Sequence, residues 1–108
     1  MFYMGLDLGQ RRDHSAIAVV ERLENSGRLQ LRLLERVPLG TAYPAVVERV
    51  RTIAACQEVR GQFRVAVDAT GVGAPVVDLL RMARLGCEVT ATRTISSWIP
   101  CTWVKPQE

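Results

Sequence analysis

Lysine is nearly absent from this chain of 108 residues, where Lys105 stands alone against thirteen arginines. Histidine occurs once, as His14, and cysteine only as Cys56, Cys87 and Cys101. An odd number of cysteines with no close pair supports neither a disulfide framework nor a thiolate zinc site. A solitary histidine excludes His-rich metal cages, so any metal here is expected to be a hard cation held by carboxylates. No apolar run approaches the roughly 18 residues needed to span a bilayer. The opening Met1-Phe2-Tyr3-Met4-Gly5 also lacks the basic segment and long apolar stretch of a secretory signal. A soluble cytoplasmic protein with no membrane partner is the expectation.

The remaining composition is that of an ordinary folded domain, 48% hydrophobic and 23% charged. At this length one core is expected and a second is not. The net charge is +3, and arginine is the better side chain for gripping phosphate in a bidentate fork. The arginines are spread along the chain rather than clustered, so charge by itself is weak support for a nucleic-acid partner.

Local pattern predicts seven elements. Phe2 to Leu8 reads as a first strand that ends in Asp7 and Gly9. Ser15 to Glu21 is a β-branched second strand, and Asn25-Ser26-Gly27 turns the chain into a third from Arg28 to Val37. The alternation of Leu29, Leu31 and Leu33 with Gln30, Arg32 and Leu34 predicts one buried and one mostly polar face. After Pro38 and Gly40, Thr41 is a candidate N-cap for a helix reaching about Arg60, with Pro44 in its first turn. Phe63 to Asp68 is a fourth strand, Ala74 to Leu85 a second helix, and Cys87 to Arg93 a fifth strand. Hairpin connections make the first three strands antiparallel, whereas crossover helices make the last two parallel to a neighbour. The expected fold is α/β, a mixed five-stranded sheet (β-β-β-α-β-α-β) with helices packed on it. The domain is expected over residues 1–93, with an irregular tail over 94–108 that carries Trp98 and Trp103.

Two strands end in aspartate beside glycine, in Met4-Gly5-Leu6-Asp7-Leu8-Gly9 and in Val65-Ala66-Val67-Asp68-Ala69-Thr70-Gly71-Val72-Gly73. If the first and fourth strands are parallel neighbours, Asp7 and Asp68 emerge at one carboxyl edge, where α/β sheets bind ligands. Carboxylates so placed repel each other unless a cation lies between them, and Mg²⁺ or Mn²⁺ suits oxygen donors. Such a pair is the kind of site that hydrolyses phosphodiesters. Either aspartate alone is equally what a turn or helix cap uses. Gly71 and Gly73 permit close backbone approach before a helix N-terminus, and equally serve a tight turn. Asp13 could orient water at the site or belong to a solvated hairpin. Arg11 and Arg12 are the candidates for contacting a phosphate backbone.

Gly5-Leu6-Asp7-Leu8-Gly9-Gln10, followed by Asp13-His14-Ser15-Ala16-Ile17-Ala18-Val19-Val20, resembles the opening strands of ribonuclease H-like nucleases. The likeness is greatest to the nuclease domain of phage terminase large subunits, and Val67-Asp68-Ala69-Thr70-Gly71-Val72-Gly73 resembles the fourth-strand motif of that family. The resemblance covers about residues 3 to 92. It implies DNA cleavage with two divalent metals held by acidic residues at the positions of Asp7 and Asp68. Two departures accompany it. The late carboxylate that a C-terminal helix adds in such nucleases has no counterpart here, and a C-terminal helix is expected to be missing. No Walker-type glycine loop marks the ATPase motor that usually precedes a terminase nuclease, so a motor would be a separate chain. Holliday-junction resolvases and the actin and heat-shock ATPases open similarly. A non-catalytic ribonuclease H-like binding or assembly module is the alternative from another class. Self-association through an uncovered sheet edge is a further expectation.

Overall fold

Apolar residues of alternating phase place β1 (Phe2–Asp7) at the centre of a five-stranded sheet in a computed structural model that describes residues 1–9, 14–59, 62–68 and 74–92. The other elements follow in the predicted order: β2 (Ala16–Arg22), β3 (Leu29–Arg36), α1 (Tyr43–Ala54), β4 (Phe63–Asp68), α2 (Ala74–Met82) and β5 (Val89–Thr92). The strand order is β3-β2-β1-β4-β5, with β1 antiparallel to β2 and parallel to β4. β2 pairs antiparallel with β3, and β4 pairs parallel with β5. This is the expected α/β architecture.

Both crossovers, β3 to α1 to β4 and β4 to α2 to β5, run the same way across the sheet. Right-handed connections therefore put both helices on one face. The core confirms this. Met4 and Leu6 of β1, Ile17 and Val19 of β2, and Val65 and Val67 of β4 cluster with Val46 and Val50 of α1 and Leu80 of α2. Those strand positions are two residues apart, so the intervening residues face away from the helices. Ala18, Val20 and Ala66 belong to this second face and are also buried.

Three expectations are corrected. The first helix ends at Ala54, not near Arg60, because the chain tightens into three-residue turns: Cys56 N–H donates to the Ile53 carbonyl and Val59 N–H to the Cys56 carbonyl. That turn returns Val59 to the core while Cys56, Gln57 and Glu58 stay exposed. Thr41 is not the N-cap. Its hydroxyl donates to the Pro38 carbonyl at 2.6 Å, and Ala42 occupies the cap position without a side-chain bond. The alternation predicted for the third strand also fails, because the β2–β3 register shifts between Val19 and Val20. Arg32 becomes the extra residue of a bulge, Leu33 packs on the core, and Leu31 and Leu34 are left 48% and 50% exposed.

Candidate metal centre at the carboxyl rim of the sheet

The parallel register of β1 and β4 sets Asp7 directly opposite Asp68. Neighbouring strands lie about 4.8 Å apart, so the two carboxylates leave the backbone one strand spacing from each other. They also point the same way. Leu6 and Val67, one residue earlier in each strand, belong to the helix-side core, so Asp7 and Asp68 lie on the opposite face. Both are half-buried. β1 and β4 are thus the parallel neighbours that the sequence argument required, and the shared facing is added by the structure.

Hydrogen bonds from distant residues hold the end of β1 in place. Leu8 is 4% exposed and anchors the strand from the helix side, in the core. The Gly9 N–H donates to the Ser15 hydroxyl oxygen at 3.1 Å, and the Tyr43 hydroxyl donates to the Gly9 carbonyl at 3.0 Å. Ser15 is itself buried, and Tyr43 packs against the core from the first turn of α1. At the neighbouring strand end, His14 Nδ1 lies 3.0 Å from the Val37 carbonyl. A carbonyl only accepts, so this nitrogen carries the proton. The adjacent Ser15 carbonyl accepts from the Val37 N–H. These contacts tie the segment after Asp7 to β2, to the end of β3 and to α1.

The chemistry of this donor set suits a small hard cation. Two carboxylates on one face supply hard oxygen ligands, and a divalent ion between them offsets their mutual repulsion. Among the described residues, no group of three or more His, Cys, Asp or Glu side chains converges to hold a metal. Burial pushes the Cys87 thiol up, partly opposed by a backbone hydrogen bond at Val65. A groove of about 490 Å³ lies against Phe2 and Ile53, lined by Arg32 and Arg49 on the helix side. Neither aspartate lines it.

Of the remaining predicted site residues, Asp13, Arg11, Arg12, Gly71 and Gly73 lie outside the described residues, as do Trp98 and Trp103. Sequence reasoning missed Tyr43 as a support for Gly9, since nothing local connects positions 34 residues apart. Ser15 carried a weak signal as a polar residue at the start of a β-branched strand. No helix among the described residues is long and apolar enough to cross a membrane.

Comparison with known proteins gives the fold a context. No protein-family model matches the sequence, and no curated protein matches it. Among solved structures, the fowlpox virus Holliday junction resolvase aligns at a TM-score of 0.61 with 14% identity, over 85% of this chain and 60% of that one. The large terminase nuclease from thermophilic phage G20c with bound magnesium aligns at 0.61 with 25% identity, over 85% of this chain and 43% of that one. The same nuclease with bound zinc aligns at 0.61 with 26% identity, over 91% of this chain and 51% of that one. The chain therefore spans about half the length of these neighbours. It has the ribonuclease H-like fold, and its neighbours in that fold are nucleases.

Proposed function

We propose that this chain is a metal-dependent nuclease domain that hydrolyses DNA phosphodiesters in the manner of a terminase nuclease. The observation that carries the reading is the placement of Asp7 opposite Asp68, on one face and at the carboxyl ends of two parallel strands. The likeness at 25% and 26% identity to a nuclease with bound magnesium or zinc supports it. Asp7 and Asp68 would hold Mg²⁺ or Mn²⁺. When bound, the ion supplies Lewis acidity toward the phosphate and lowers the pKa of the attacking water.

The chain's own residues bind and position. Ser15 and Tyr43 fix Gly9 and with it the backbone that carries Asp7. The helices lie on the other face, so they do not obstruct an approach to the carboxylates. Arg11 and Arg12 follow Asp7 closely in sequence and are proposed to contact the DNA backbone. Gly71 and Gly73 would admit a phosphate, and Asp13 would assist the metal site. A separate motor chain is the proposed partner, and the cytoplasm the proposed compartment.

Incubation with plasmid DNA and Mn²⁺ tests the reading. Cleavage by the wild type that is lost in both Asp7→Asn and Asp68→Asn is the expected result. A wild type that binds DNA but cuts it at no concentration of Mn²⁺ or Mg²⁺ overturns catalysis. That result would favour the binding-module alternative.

A further inference from the structure

The register row that holds the two aspartates continues across the sheet. Asp68 pairs with Asp7, Asp7 with Ala16 of β2, and Ala16 with Arg36 of β3. Arg36 is the last residue of its strand and is exposed. Its facing follows from its neighbour. Glu35 accepts two hydrogen bonds from Arg49 of α1, at 2.8 and 2.6 Å, so Glu35 points to the helix side. Arg36 therefore points to the face that carries the aspartates. The bulge at Arg32 is what sets this phase, because from Leu33 to Arg36 the pairing with β2 runs without a further shift.

Between Arg36 and Asp7 in this row stands Ala16, with only a methyl group, across two strand spacings of about 10 Å. A long guanidinium arm can lie over an alanine, whereas a larger residue on β2 would block it. A phosphate drawn to a cation between the aspartates would bring its neighbouring backbone phosphate along this row. A guanidinium there grips two oxygens in a planar fork. We infer that Arg36 is a phosphate-contacting residue of the DNA site, holding the strand beside the carboxylate pair on its β3 side. The inference deepens the nuclease reading and rests on it for the identity of the ligand.

The experiment measures binding of a labelled DNA duplex at a fixed concentration of Ca²⁺, a hard cation for the carboxylate pair, as a function of monovalent salt, alongside cleavage in Mn²⁺. Each lost phosphate contact lowers the log–log salt slope by about 0.9. Between 50 and 200 mM salt, Arg36→Ala should therefore lose about 3.5-fold less affinity than the wild type does. Arg36→Lys should restore the slope with only part of the affinity, which a merely structural role would not produce. Arg32→Ala is the control, because Arg32 lies on the same strand 3.6 Å from Glu21 on the helix side; its slope should match the wild type. In cleavage, Arg36→Ala should raise KM with kcat little changed.

A slope for Arg36→Ala equal to that of the wild type overturns the inference, whether or not the protein cuts DNA. A reduced slope for Arg36→Ala, with a wild type that never cleaves, leaves the Arg36 contact standing and sinks only the nuclease reading. Absence of any DNA binding sinks both.

Discussion

Replacing Asp68 by Asn should make the protein deaf to magnesium. The two carboxylates leave paired backbone positions one strand spacing apart. Unit charges about 5 Å apart repel by about 0.8 kcal/mol in water and about 3 kcal/mol at an effective dielectric constant of 20. Both side chains are half-buried, which places the value toward the lower end, at about 1 kcal/mol. A divalent ion bound between the carboxylates offsets that repulsion, so magnesium should stabilise the wild type. A two-carboxylate site with a Kd of about 1 mM gains about 1.4 kcal/mol at 10 mM Mg²⁺, or about 6 °C. Asp68→Asn and Asp7→Asn should each lose most of that gain. Differential scanning fluorimetry in EDTA and across a magnesium series reads both quantities, and calorimetric titration reports the affinity directly. An equal magnesium-induced rise in wild type and both variants would refute the shared site.

Leu6→Ala deletes a side chain with 0% exposure at the centre of the sheet, so urea unfolding should show a loss of about 3 kcal/mol. Ser15→Ala removes the acceptor of the Gly9 N–H, and the same assay should show a loss of about 1–2 kcal/mol together with weaker Mg²⁺ binding. The pH profile of Arg49→Met tests the Glu35 pair. Hydrogen bonding to Arg49 holds the Glu35 carboxyl below its usual range, with burial opposing and charge attraction adding to the effect. The pair therefore contributes stability above the unfolded carboxyl's pKa and loses it as pH falls through the lower folded value. Wild type and variant should differ modestly in Tm at pH 7, and the difference should shrink as the pH falls below the ordinary carboxyl range.

How much of this was legible in the residues depends on range. The strand that became β4 ends as predicted at Asp68, because an apolar run cut off by an acid and a glycine is a local signal. The order of elements was readable for the same reason, and a crossover helix made β4 parallel to some neighbour, but that this neighbour is β1 came only with the sheet order. The end of α1 was not. Arg51 to Arg60 keeps a helical look, and what stops the helix is the return of Val59 to a core built by other strands.

Composition and periodicity alone were enough to specify an α/β domain and to nominate Asp7 and Asp68, since each rests on residues adjacent in the chain. That the two share a face and a register row, that Tyr43 braces Gly9, and that Arg36 joins the row were settled by pairing between distant segments. Side-chain direction in a strand reverses with every residue, so the extra residue at Arg32 decides where Arg36 points. No local pattern announces such a bulge, because it exists only between two strands.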